Sequence, residues 1–396
     1  MESVSLGVDE FLKKEIPDSQ SSWGLVTSDA CKTSRGSMVR MELLQHGYNI
    51  KYLFSPEHGL SSKGIDGAWQ PDQIDPLTRL PVYSLYGNRL KPMQEILREL
   101  DGVIFDLPDI GVRFYTYIWT MSLVMESCDA SGKTLIILDR PNPLSGQLNL
   151  AEGPMLDEKN LSSFLGRWSI PIRHNLTIGE LAKFWKKERN LSNLNLKVIP
   201  CTGWKRSMYL EDTGLPFYPP SPAITQMETI LTYPALCFLE GTNLNEGRGT
   251  DLPFRQFGAP WLDSSKFMEI LKDYSFPGVN FKAVSFLPKS GRYAKKYCHG
   301  AQMIISNRSD YRPIQTGIKL IALLNLHYPN HFEWADYPTL VNETGARHID
   351  LLLGNTDLVM KIEQDPKSLI KEAGEWSSVE KWEEKVSGFL TDEYKD

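Results

Sequence analysis

Four short segments gather residue types that do chemistry. Ser55-Pro56-Glu57-His58-Gly59 sets a carboxyl between a proline and a His-Gly pair. Pro56 fixes its own φ and biases Ser55 toward extended geometry, while Gly59 permits a sharp departure. Glu57 is therefore predicted to ride on a stiff turn, as a proton donor or acceptor requires. The second segment runs Asp106-Leu107-Pro108-Asp109-Ile110-Gly111-Val112-Arg113-Phe114-Tyr115-Thr116-Tyr117, and the third Asp139-Arg140-Pro141-Asn142-Pro143. The fourth, Glu240-Gly241-Thr242-Asn243-Leu244-Asn245-Glu246-Gly247-Arg248-Gly249-Thr250, is a polar loop rich in glycine and acids. Guanidinium forks suit carboxylates and aromatic faces suit the apolar faces of sugar rings. Arg113, Tyr115 and Tyr117 thus read as binding residues, and Arg248 between glycines as an anion contact. The plainer readings are a surface Glu in a Pro-Gly loop, ordinary packing around Phe114, and a flexible connector at 240–250.

His58, Asp106, Asp109, Asp139 and His174 invite a metal reading, but no HxH or HExxH spacing joins them, so no metal is expected. The glycine loop has no Gly-Lys-Ser/Thr and does not fit GxGxxG, so no nucleotide cofactor is expected either.

These segments follow apolar runs that alternate with helical patterns, the signature of a parallel α/β sheet. Strands are predicted at Gly24–Thr27, Ile50–Phe54, Pro81–Leu85, Val103–Phe105, Leu135–Leu138 and Leu196–Ile199. Helices are predicted at Met38–His46, Met93–Leu100, Trp119–Ala130, and from the capping box Thr177-Ile178-Gly179-Glu180 to about Arg189. Ligands bind outside the carboxyl ends of such strands, so three strand ends are expected to present acids, bases and aromatics toward one cleft. The prolines at 216, 219, 220 and 222 forbid regular structure, which places a domain boundary there. The expected fold is a Rossmann-like parallel-sheet domain over residues 1–222 and a smaller α+β domain over 223–396. The latter should hold helices at Lys266–Tyr274, Ile314–Leu326 and Ser378–Phe389, with strands at Phe281–Phe286 and Gln302–Ile305.

A chain of 396 residues fits two domains, and 41% hydrophobic with 23% charged residues is ordinary for a folded protein. A net charge of -6 argues against a nucleic-acid partner. Cys31, Cys128, Cys201, Cys237 and Cys298 are odd in number and widely spaced, suggesting neither a disulfide scaffold nor a zinc ribbon. Met1–Pro17 lacks a basic region followed by an apolar one, and no apolar stretch approaches a membrane span, so a cytoplasmic setting is expected, or a periplasmic or secreted one if an export signal has been removed.

Taken in order, Ser55–Gly59, Gly111–Tyr117, Asp139–Pro143, Pro219–Pro222 and Glu240–Thr250 resemble the NamZ-type exo-β-N-acetylmuramidases. Ile170-Pro171-Ile172-Arg173-His174 and Phe257-Gly258-Ala259-Pro260-Trp261 add to the likeness, which spans the chain from about residue 23 to its last helices. Asp29-Ala30 and Asn175 depart from it, standing where that family more often has an Asn and a Gly, and a Gly after the histidine. The resemblance implies a cleft between the two domains. It also implies release of N-acetylmuramic acid from the non-reducing ends of peptidoglycan fragments such as MurNAc-GlcNAc, without nucleotide or metal. Glu57 falls on the family's motif glutamate and is the expected general acid, with His58 beside it. Glycosidases usually need a second carboxyl. Glu246 is the candidate, with Glu240, Asp109 and Asp139 competing and the substrate's acetamido oxygen a further choice. Arg113 or Arg248 is expected on the lactyl carboxylate. Asp109, Tyr115, Tyr117, Asp139, Arg140, Asn142, His174, Glu240 and Asn243 complete the expected binding set. A non-catalytic saccharide-binding protein, or a metal-dependent hydrolase built from His58, Asp106, Asp109 and His174, are the alternatives.

Overall fold

Aliphatic runs too short for helices pair into a large sheet. The computed structural model describes residues 3–14 and 20–396; residues 1–2 and 15–19, part of the N-terminal stretch read above for an export signal, lie outside the described residues. Seven strands form the main sheet: β1 (Ser22–Val26), β2 (Asn49–Ser55), β3 (Gln73–Ile74), β4 (Pro81–Ser84), β5 (Gly102–Phe105), β6 (Thr134–Leu138) and β7 (Asn195–Ile199). Their order is β3-β4-β2-β1-β5-β6-β7, and every pairing is parallel except that of the edge strand β3 with β4. All of β5 and most of β6 are buried, as near-continuous apolar runs require when both faces are covered. Helices Gly7–Lys14, Tyr117–Ala130 and Ile178–Glu188 pack against this half of the sheet. The Thr177 capping box is present as read, with the Thr177 hydroxyl accepting from the Glu180 amide and the Glu180 carboxylate from that of Thr177.

From β1 the chain steps outward to β2 and β4, then returns to place β5 on the other side of β1. The strand order therefore reverses between β1 and β5. Loops leaving the carboxyl ends there diverge and open room for a ligand.

Beyond the proline-rich segment, which forms no helix or strand, a second sheet is antiparallel: β8 (Gln256–Ala259), β9 (Val279–Phe286) and β10 (Cys298–Ile305) in the order β8-β10-β9. The buried helix Pro313–His327 packs on helices Met227–Leu236 and Pro366–Ser377. β8 and the helices Met227–Leu236, His348–Leu353, Thr356–Gln364 and Pro366–Ser377 were not expected. Pro234 inside the first of these masks its pattern, and the helix tightens into a 3-10 turn directly after it. The helix expected at Ser378–Phe389 is shorter: Lys381 takes a left-handed φ of 56°, so α-helix holds only Trp382–Val386, followed by a 3-10 turn. Among the described residues no helix is long and apolar enough to cross a membrane.

The C-terminal segment returns to the first sheet. Trp382 Nε1 donates to the His174 carbonyl at 2.9 Å, the Thr391 amide to Glu180 Oε1 at 2.9 Å, and the Tyr394 hydroxyl to Asp139 Oδ2 at 2.7 Å.

Candidate active site

Glu57 leaves the carboxyl end of β2 on the expected tight turn. His58 has a left-handed φ of 68° and Gly59 one of 69°, a run rarely adopted by a non-glycine residue without surrounding constraint. The constraint is visible: His58 Nδ1 lies 3.0 Å from the Gly64 carbonyl. A carbonyl only accepts, so Nδ1 carries a proton, whatever the state of Nε2. The turn drives the Glu57 side chain inward, to 6% exposure. There the Gly67 amide donates to Oε1 at 3.0 Å and the Thr116 hydroxyl to Oε2 at 2.7 Å. Gly67 can hardly be another residue, because its φ is 67° and a Cβ would sit 2.8 Å from Thr339 Cγ2. Burial pushes the Glu57 carboxyl above the ordinary range, and the neighbouring Asp66 carboxylate adds to this. His58 and the two hydrogen bonds pull the other way without reversing it.

The chain beyond the proline-rich segment supplies a guanidinium among acids. Arg248 Nη2 stands 2.6 Å from Glu240 Oε1 and 3.1 Å from Asp66 Oδ2, and its Nε 2.9 Å from Glu246 Oε1. The Nε contact is close in distance but poorly aligned for a hydrogen bond. The Phe254 ring lies 4.9 Å beneath the guanidinium. Glu240 Oε2 faces His348 Nε2 at 3.2 Å, and His348 stacks on Tyr337, whose hydroxyl donates to Asp66. Burial raises Asp66, but Arg248, His58 and Tyr337 outweigh it and hold the carboxyl below its usual value. Glu246 shows the opposite balance: burial carries it to about 7 against the pull of Arg248.

Both halves face one cavity, walled by Tyr86, Phe114, Tyr115, Tyr233, Phe254 and Tyr337. That aromatic lining, with a few convergent polar groups, suits a small organic ligand. Of the residues singled out from sequence, Glu57, His58, Tyr115, Glu240 and Arg248 line it. Glu246 reaches it through Arg248. Tyr117 supports it from behind, its hydroxyl donating to the Pro220 carbonyl at 2.6 Å with the Glu57 carbonyl 3.3 Å away.

The rest of the expected set lies elsewhere. Arg113 does not face the cavity: its guanidinium donates to the carbonyls of Pro154, Ile170, Leu352 and Leu353. It thereby caps helix His348–Leu353, and a Cβ on Gly354 would meet its Nη2 at 2.3 Å. Asp109 and Arg140 line a neighbouring cavity over the ends of β1, β5 and β6, beneath the proline-rich segment. Arg140 is forked onto Asp106 at 2.7 and 3.0 Å, and Asp109 Oδ2 faces His174 Nε2 at 3.2 Å. Asp139 accepts from Thr177, Gly179 and Tyr394 in the core. Asn142 ties the Leu176 carbonyl to the Leu144 amide, and Asn243 braces the segment around His331 and Glu333. The loop after β6 therefore does not converge with those after β2 and β5, because β6 lies beyond β5 on the far side of the switch point.

The metal quartet is not assembled, since Asp106 is taken by Arg140 and His58 lies in the other cavity. Glu57, His58 and Asp66 do offer three ligand atoms within 4.8 Å of one another. Arg248 beside Asp66 and the donors already on Glu57 oppose a cation there.

Asp66, Tyr86, Thr116, Tyr337 and His348 were missed from sequence. Thr116 stood inside a motif already singled out, and only its hydroxyl went unweighed. Asp66 carries a faint signal in Gly64-Ile65-Asp66-Gly67, a glycine-flanked acid close after the Glu57 turn. Tyr337 and His348 carry none.

Two profiles of one family match the chain: exo-β-N-acetylmuramidase NamZ, N-terminal, over residues 23–228, and its C-terminal counterpart over residues 231–393. The chain is 40% identical over 366 residues to the peptidoglycan β-N-acetylmuramidase NamZ of Bacillus subtilis (strain 168), covering 91% of this chain and 84% of that protein. It is also similar to crystal structures of two DUF1343 family proteins from Bacteroides fragilis NCTC 9343, each 27% identical. One superposes with a TM-score of 0.86 over 98% of both chains, the other with 0.73 over the whole of both. With both halves matched in order, and a relative this similar along most of its length, the chain belongs to the NamZ exo-β-N-acetylmuramidase family.

Proposed function

We propose that this protein is an exo-β-N-acetylmuramidase that releases N-acetylmuramic acid from the non-reducing ends of peptidoglycan fragments such as MurNAc-GlcNAc. One observation carries the reading: a buried carboxyl, Glu57, is fixed by Thr116 and Gly67 at the wall of an aromatic-lined cavity that also takes residues from beyond the proline-rich segment. Its raised pKa keeps the proton that a leaving glycosidic oxygen must receive, so Glu57 serves as general acid. The aromatic walls offer faces for the muramyl ring. The Tyr115 hydroxyl, buried without a well-aligned protein partner, is suited to a sugar hydroxyl.

Arg248, the only Lys or Arg lining the cavity among the described residues, receives the lactyl carboxylate. Arg248 is already surrounded by acids, so binding needs one of them to give way. Glu246, poised at about 7, does so by taking a proton as the substrate carboxylate arrives.

The test is incubation with MurNAc-GlcNAc and detection of free MurNAc by mass spectrometry. Glu57→Gln keeps the shape and removes the acid, and is expected to lower turnover by about 10²–10⁴-fold. Near-normal turnover by that variant would sink the assignment of Glu57. Tight binding without release of MurNAc by the native protein would sink the activity itself.

A further inference from the structure

The geometry points to Asp66 as the second catalytic carboxyl, the nucleophile of a double displacement that retains configuration at the anomeric carbon. This rests on the function proposed above and adds the identity of the partner to Glu57.

Elimination comes first. Glu240 is held by Arg248 and His348, and Glu246 lies behind Arg248 without lining the cavity. Asp109 belongs to the neighbouring cavity, and Asp139 is buried in the core beneath three donors. Among the carboxyls weighed, only Asp66 shares the wall with Glu57 and keeps an oxygen free. Its Oδ2 is held by Tyr337 and Arg248. Its Oδ1 has His58 Nε2 at 4.0 Å, too far for a hydrogen bond. The Asp66 side chain is 31% exposed, whereas that of Glu57 is almost wholly enclosed.

Distance then selects the reaction course. Carboxylate oxygens of Glu57 and Asp66 approach within 4.8 Å. Retaining glycosidases separate their carboxyls by about 5 Å, whereas inverting ones need about 6.5–9.5 Å to seat a water between base and sugar. At their nearest oxygens the pair stands at the retaining spacing, short of the range that seats that water.

The charge states divide the labour. Arg248 and Tyr337 hold Asp66 ionised, while burial keeps the proton on Glu57, so the two carboxyls are pushed apart into nucleophile and acid. In the first step Asp66 Oδ1 bonds to C1 as the C1–O glycosidic bond breaks, and the Glu57 proton goes to the departing oxygen. In the second, water attacks C1, its proton returns to Glu57, and the C1–Asp66 ester bond opens to restore the carboxylate. Every atom and proton is accounted for without another reactant. His58 is a positioning residue: its Nδ1–H on Gly64 ties the Glu57 turn to the loop carrying Asp66.

The experiment uses the full chain and an activated aryl β-muramide. Proton NMR in the first minutes of turnover by the native protein is expected to show the β-anomer of MurNAc before mutarotation. Glu57→Gln with a dinitrophenyl leaving group, which needs no proton to depart, is expected to accumulate one muramyl group on the peptide containing Asp66. Asp66→Asn is expected to lose about 10³-fold or more in turnover, and azide with Asp66→Gly to yield the α-muramyl azide. First appearance of the α-anomer overturns the inference. So does turnover by Asp66→Asn within tenfold of native, or retention with no protein adduct, which would make the acetamido oxygen the nucleophile. If the Asp66 variants fail to fold, the native product's anomeric form and the Glu57→Gln adduct still decide. A native protein that leaves both MurNAc-GlcNAc and the aryl muramide whole overturns the proposed function, and this inference with it.

Discussion

The Thr116 hydroxyl donates to Glu57 Oε2 across 2.7 Å, from the turn that opens the buried helix Tyr117–Ala130. This bond joins the carboxyl ends of β2 and β5 and fixes where the acid's proton points. It also favours the ionised form of Glu57. Thr116→Val keeps the shape and removes the donor, so the acid holds its proton to higher pH. The alkaline limb of the kcat/KM profile is expected to move upward, while kcat falls about tenfold or more through lost orientation. A pH–rate profile of the two proteins checks this; an unmoved limb would show that the bond does not act on the acid.

Substrate binding should depend on pH through Glu246. Its carboxyl titrates at about 7, and once ionised it competes with the lactyl group for Arg248. KM is therefore expected to rise as pH increases through about 7, with Glu246→Gln flattening the rise. A glycoside of N-acetylglucosamine, which has no lactyl carboxylate, should show no such dependence. Equal pH profiles for both substrates would argue against Arg248 as the lactyl contact.

Arg113 is expected to govern stability and not recognition. Arg113→Met leaves carbonyls of Pro154, Ile170, Leu352 and Leu353 without their donor in the interior. Such a loss costs about 3 kcal/mol or more, so denaturant melts should shift clearly. Protein that remains folded should keep a KM within about twofold, since a residue outside the cavity contributes no uniform binding to substrate. A large KM change with an unchanged melt would reverse this assignment.

Stability should fall with rising pH across the weakly acidic range. Burial raises Asp139 to about 6 and Glu152 and Glu246 to about 7 in the folded chain. The folded state therefore holds protons that the unfolded chain has already released. That contribution is complete below the unfolded values near 4 and is lost as pH climbs through 6 to 7. Asp66 and Asp75 act oppositely, but their contribution is lost only as pH drops below the usual carboxylate range. Scanning calorimetry at pH 5 and pH 8 is expected to show a lower Tm at pH 8, by on the order of 5 °C. A flat or rising Tm would mean these carboxyls are better solvated than their burial implies.

The centre of the sheet was legible because β5 and most of β6 are covered on both faces and so read as unbroken apolar runs. Glu57 was legible because Pro56 and Gly59 bracket it, which is local chemistry. Arg113 was misread because a motif does not tell which side of a turn each residue faces; four residues of that loop share one pattern, and only Phe114, Tyr115 and Thr116 reach the cavity. β8 escaped notice because Gly258 lies in it, where a Cβ would strike the His299 carbonyl at 2.4 Å, so close strand approach displaced the usual alternation. Tyr337 and His348 join Asp66 and Glu240 only through folding of distant segments, and no spacing rule reaches them.

Tyr394 bonds Asp139, which the ribosome delivers 255 residues earlier, and takes the Cys201 amide on the same hydroxyl. During synthesis, then, Asp139 stays short of one donor until the segment carrying Tyr394 has emerged. The nascent chain should stay open to proteases or chaperones across those 255 residues, and become protected when the Tyr394 segment docks.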